Sequence, residues 1–130
     1  MRRGYCVWRG RALSLGLMRV LRQEELDLLG AMLKGDNLVA SIAADVQVRD
    51  LQDGGMGSIE FLFENVEGPR HARRIAEADY MDSDGIPVSI GVNIDQYGKL
   101  FEIDIWKLDF GRLKTYPTGR TIRNIRRING

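Results

Sequence analysis

The 130-residue chain is poor in the residues that usually give a function away. It has one cysteine, one histidine and three prolines. The single thiol, Cys6, excludes an internal disulfide and suits a reducing compartment, so a cytoplasmic location is expected. His71 has no second histidine or cysteine ligand near it, which argues against a zinc site. No apolar run approaches the roughly 20 residues that a membrane-spanning helix needs, so no membrane contact is expected. The apolar part of the N-terminal segment is interrupted by Arg9 and Arg11 and is too short for a signal peptide. Acids are missing from both ends: all 18 lie between Glu24 and Asp109.

That absence uncovers a charge asymmetry. Residues 18–110 hold nine bases against 18 acids, a net charge of −9, although the whole chain is at +1. Residues 1–17 carry four arginines, and residues 111–130 carry six basic side chains with no acid. An acidic body between two basic ends predicts tails that either fold onto the body or extend from it. The length suits one domain. The expected divisions are a basic extension over 1–17, an α+β domain over 18–113 and a basic tail over 114–130.

The strongest pattern lies between residues 72 and 110. Val88, Ile90, Val92 and Ile94 alternate with Ser89, Gly91, Asn93 and Asp95, the period of a strand with one buried face. Phe101, Ile103 and Ile105 alternate with Glu102, Asp104 and Trp106 in the same way. Asp95 and Gly98 suit the turn between them, and Asp82, Asp84 and Gly85 suit the turn before. A four-residue loop sets Val92 beside Phe101 and Ile90 beside Ile103. The earlier turn sets Tyr80 beside Val88, Ala78 beside Ile90 and Ala76 beside Val92, so residues 73–81 read as a third strand.

Upstream, leucines at 26, 28, 29 and 33 with Met32 predict a helix over 21–34, acidic in its first turns and capped near Gly35. Residues 36–44 fit either a short second helix or a buried connection. Val46 and Val48, then Ile59, Phe61 and Phe63, mark two more strands. The expected fold is therefore α+β: an N-terminal helix packed on a five-stranded antiparallel meander. In the tail, Ile122, Ile125 and Ile128 recur among arginines and fit either an amphipathic segment docked on the acidic face or a loose end.

The predicted register also defines a polar sheet face. Asp79, Ser89 and Asp104 fall in one row; Glu77, Gly91 and Glu102 fall in the next, with Trp106 at one end. Like charges on neighbouring strands cost up to about 1 kcal/mol per facing pair, so something must offset them: Arg73, Arg74, Lys107, the basic tail or a partner. Acids that steer and an aromatic that anchors make a protein-binding surface. The expected contact residues are Glu77, Asp79, Glu102, Asp104 and Trp106, the expected partner a basic protein, and an immunity-like role the nearest analogy. A homo-oligomer is the other possible partner arrangement.

The remaining motifs read more plainly. In the loop of Asp53, Gly54, Gly55, Met56, Gly57 and Ser58 the glycines could present amides to an anion, but no Lys-Ser/Thr follows as a phosphate loop requires, so a tight connection is expected. Asp82 and Asp84 open like a calcium loop, but Asn93 stands where its closing glutamate belongs, so a turn is expected and no metal. Two carboxylates on the polar face, about 10 Å apart if Asp79 and Asp104 share a row, give the alternative of a hydrolase or metal site. The arginine-rich tail gives a second alternative, nucleic-acid binding, against the charge of the body. No catalytic residue and no cofactor is expected.

The stretch MRVLRQEELDLLGAML, the DGGMGS loop and FEIDIWKLDF, preceded by NIDQYG, together resemble a family of small bacterial proteins of unknown function, over about residues 18–113. Where that family starts its helix with threonine and proline, this chain has Arg22 and Gln23. The resemblance implies a shared fold and brings no catalytic residue or ligand.

Overall fold

The computed structural model describes residues 17–63 and 68–128. Cys6 and all but the last residue of the expected N-terminal extension lie outside the described residues, as do residues 64–67 in the loop before Arg70. The elements in order are β1 (Met18–Val20), α1 (Gln23–Met32), α2 (Asn37–Ala40), β2 (Gln47–Asp50), β3 (Ile59–Leu62), β4 (Arg73–Met81), β5 (Pro87–Ile94), β6 (Leu100–Lys107) and β7 (Arg123–Arg127). The strands form one seven-stranded sheet in the order β1-β2-β3-β6-β5-β4-β7, and every pairing is antiparallel.

This corrects the expected five-stranded meander under a helix. The molecule is mostly sheet, with two short helices of 10 and 4 residues. Two short segments without strand signatures, one before α1 and one in the arginine-rich tail, pair onto the two edges. The order is not sequential either. β4, β5 and β6 form a meander that docks on β3 through β6, leaving β4 to pair with β7. A meander has two outer strands, and alternation does not say which meets the next segment. Here Ile59 pairs with Ile103, both fully buried, and that pair fixes the choice.

The β4–β5 register is the one read from the turn: Tyr80 opposite Val88, Ala78 opposite Ile90, Ala76 opposite Val92. The β5–β6 register is displaced. Val92 faces Ile103 rather than Phe101, and Ile90 faces Ile105 rather than Ile103. One residue enters because Asp95 closes its loop on Lys99, and the other enters at a bulge after Ile94↔Leu100. A shift of two keeps every side chain on its own face, because the pleat repeats every two residues.

Leu28, Leu29, Met32 and Leu33 lie in one buried cluster with Val48, Phe61, Ala78, Ile90 and Ile103. Burying each large apolar side chain contributes about 1.5–3 kcal/mol. The helical stripe includes one acid. Glu25 is fully buried; it accepts from the Arg22 backbone N–H at 2.8 Å and from the two terminal nitrogens, Nη1 and Nη2, of Arg19 at 3.0 and 2.8 Å.

Candidate functional site

Successive side chains point to opposite sides of a strand, so the sheet face away from α1 collects the residues between the core positions. Three rows cross β4, β5 and β6: Asp79–Ser89–Trp106, Glu77–Gly91–Asp104 and Arg74–Asn93–Glu102. The displaced register corrects the expected rows. Asp104 lies across Gly91 from Glu77, not in line with Asp79, and Glu102 lies beside Asn93. The third row continues outward through Glu60 and Arg49.

The cation at the centre of this face is Arg74. Its Nε donates to Asn93 Oδ1 at 2.7 Å, Nη1 to Glu77 Oε2 at 3.0 Å and Nη2 to Asp104 Oδ2 at 2.8 Å. To span two strands the guanidinium lies directly on Gly91, where any Cβ would overlap it. Asn93 passes the contact on, donating to Glu102 Oε1 at 2.8 Å. From the edge, Arg126 of β7 donates to Glu77 Oε1 at 3.1 Å and to Asp79 Oδ1 at 3.4 Å, and Asn124 donates to Asp79 Oδ2 at 2.9 Å. The Asn124 hydrogen bond, opposed by burial and helped by Arg126, holds the Asp79 carboxyl below its ordinary range. A general acid needs the opposite shift. Glu102 is buried at 8 % exposure and forms part of the floor, whereas Asp79 and Asp104 side chains are half exposed.

An apolar corner adjoins the acids. Trp106 is 45 % exposed, and its ring meets Phe110 edge-on at 5.7 Å; Met81, Leu108 and Phe110 are 58, 55 and 66 % exposed. Met81 and Leu108 flank Pro87 at the same end of the sheet, where the Leu108 N–H donates to Pro87 O. Phe110 sits in left-handed backbone at φ 60°, its N–H bonded to Lys107 O at 2.9 Å. That conformation costs a bulky residue about 1–2 kcal/mol. The turn therefore holds an aromatic ring in solvent at a cost.

The turn motifs do other work. Asp53 accepts from the Met56 and Ser58 amides, both at 3.0 Å, and Gly54, Gly55 and Gly57 all take positive φ. The loop receives the returning chain: Leu113 N–H donates to Gly55 O, and the Arg112 side chain lies on Gly55. Ser58 bonds the β6 backbone at Ile105 through both its hydrogen and its oxygen. Around Asp82, Asp84 and Gly85, the ammonium of Lys107, 1 % exposed, donates to Asp82 at 2.8 Å, Asp84 at 2.6 Å and Arg112 O at 3.0 Å. Around Asp95 and Gly98, Arg70 donates to Asp95 at 2.9 Å and to the carbonyls of Phe61 and Leu100, with its guanidinium 4.2 Å from the Phe101 ring centre. His71 is exposed. Among the described residues no group of three or more His, Cys, Asp or Glu is placed to hold a metal ion.

Arg74 was among the cations expected to offset the face acids and does so, whereas Lys107, also expected there, turns to Asp82 and Asp84. Arg70 escaped the sequence as the partner of Asp95, because nothing local says where a long side chain crosses. Lys107 had a usable signal. It shares the phase of Ile103 and Ile105 and so belongs to the buried face. Glu25 had one too, three residues before Leu28 and four before Leu29 on one helix face.

Residues 18–117 match the model of a family described as a domain of unknown function (DUF6984), and the chain belongs to that family. The expected membership in a family of unknown function holds. No curated protein and no solved structure matches the chain. No helix among the described residues is long and apolar enough to cross a membrane.

Proposed function

We propose that this member of the family is a non-catalytic protein-interaction module. It receives a basic partner protein on the polar face of the sheet, in the manner of an immunity protein held against a toxin. Asp79 and Asp104 steer the partner, Glu77 beside Asp104 and Glu102 one row further on support the charge, and Trp106 anchors. The observation that carries this reading is the exposed Trp106–Phe110 pair, with Met81 and Leu108 at the same end of the sheet, half-exposed Asp79 in the row of Trp106 and half-exposed Asp104 in the next. Aromatic side chains ringed by polar groups are the usual centre of an interface, and an exposed apolar patch on a small protein marks a contact site. The depressed Asp79 carboxyl disfavours acid catalysis on the same face. Arg126 and Arg127 are engaged with Glu77, Asp79 and Asp36, so a phosphate backbone would have to compete for them.

The test places a photo-crosslinking amino acid at position 106 of the full chain in its native cell, with an equivalent at exposed position 34 as control. One basic protein captured at 106 and not at 34 supports the reading. No basic protein at 106, or equal capture at both positions, overturns it.

A further inference from the structure

The strand that covers the β4 side of the sheet lies beyond the family domain. The match ends at residue 117, and β7 begins at Arg123. Without β7, β4 would be an edge strand with Glu77 and Asp79 beside its open backbone. The chain fills that edge with a segment of its own tail, and the fit is made by charge rather than packing. No side chain in Arg123–Arg127 is buried. Its ladder is irregular between Glu77 and Asp79, and Asn124 stands at φ 54°. What holds it is Arg126 on Glu77 and Asp79, Arg127 on Asp36 at 2.9 Å, and the anchors Ile122 and Ile128, the latter bonded to Ile75 O. Exposed ion pairs of this kind contribute little and weaken with salt.

We infer that the outer edge of β4 is a docking site for an extended, arginine-rich segment of a partner protein, and that β7 is the chain's own occupant of it. The inference rests on the proposed role of the face carboxylates and names the partner's chemistry. An incoming strand adds backbone hydrogen bonds to the sheet, and two adjacent arginines meet all three acids: Arg126 reaches both Glu77 and Asp79, and Arg127 reaches Asp36. Occupation from within reduces the apparent affinity by the fraction of time the edge is open.

The probe is a fluorescein-labelled peptide copying residues 118–130, measured by anisotropy against the full chain. Arg126→Ala/Arg127→Ala in the full chain, which loosens β7, should tighten peptide binding by about tenfold. Adding Glu77→Lys/Asp79→Lys should abolish it, and a peptide with its arginines replaced by norleucine should not bind. Equal binding by the unmodified and loosened chains, or indifference to Glu77→Lys/Asp79→Lys, overturns the inference. In the unmodified chain, amides of residues 123–127 should exchange hydrogen faster than those between β5 and β6. Equal protection also overturns it, and this measurement holds even if the loosened variant fails to fold. A dimer of the unmodified chain that Arg126→Ala dissolves would assign the edge to a second copy's tail and overturn the proposal as stated. A partner crosslinked at 106 with no peptide binding removes the edge inference alone, and peptide binding without a crosslink removes the face reading alone.

Discussion

Two sets of carboxylates occupy opposite situations in this molecule. Asp82 and Asp95 are turn residues with fully buried carboxylates. Each holds one cation and backbone amides: Lys107 with the amides of Ser83, Lys114 and Thr115 for Asp82, and Arg70 with those of Tyr97 and Lys99 for Asp95. Glu77, Asp79 and Asp104 stand on the open face and share Arg74 and Arg126, with 28 to 49 % of their side-chain surface in water. In the sequence all five are acids within one 28-residue stretch, from Glu77 to Asp104. In the structure the first pair ties strands and tail together, and the other three keep part of their charge in solvent. Burial makes the difference: removing one member of a buried pair strands the other without solvent, whereas an exposed pair has water to fall back on.

Substitutions should separate the two sets, and the largest effect belongs to Asp82. Asp82→Ala takes one of two carboxylates from the buried Lys107 ammonium, which keeps Asp84, and leaves two tail amides unpaired; it should cost on the order of 3 kcal/mol, read as a lowered urea midpoint. Acid titration sharpens the contrast without mutation. Burial pushes the Asp82 carboxyl up, but the bonds from Lys107 and from the amides of Lys114, Ser83 and Thr115 outweigh it and leave it at about 2, below its ordinary 3.8. A depressed folded value means stability that is present above the unfolded value and lost as pH falls toward the folded one. The urea midpoint should therefore decline between about pH 5 and pH 2, and the decline should flatten in Asp82→Ala.

Effects on the face should be smaller for stability and larger for binding. Gly91→Ala pushes Arg74 off its seat and breaks its bond to Asp104, a loss of about 1 kcal/mol or less. The displaced guanidinium should show as altered Nε resonances in an NMR spectrum. Asp79→Lys/Asp104→Lys should abolish capture of a basic partner while the melting temperature moves by only a few degrees, the equivalent of about 1 kcal/mol. A collapse of folding would place these acids with Asp82 instead. Trp106→Ala should change stability least, by about 0.5 kcal/mol, yet weaken partner binding by about 2 kcal/mol; calorimetry on the same preparation reads both.

Local pattern made much of this legible. The β4–β5 pairing followed from the turn at Asp82 and the alternation around Ile90, and Asp104 and Trp106 fall on the side opposite Ile103 and Ile105 because the pleat leaves them nowhere else. β1 and β7 were not legible. Met18–Val20 is three residues long, and Arg123–Arg127 is charged and buries nothing, so neither carries a strand pattern. The offset between β5 and β6 was not legible either, since a longer loop and a bulge leave no mark on an alternation that reads the same after a step of two.

By itself, the sequence determined the family, the two faces of the central strands, the places where the chain turns, and an acidic body between basic ends. Each of these is a local property, set by side-chain period, turn chemistry or composition. Only the tertiary structure decided that β6 rather than β4 meets β3, that Arg74 crosses Gly91 to join acids on two strands, and that the tail lies along β4. Those depend on hydrogen bonds and burial between segments far apart in the chain, and several arrangements satisfy the local pattern until the pairs compete for one core.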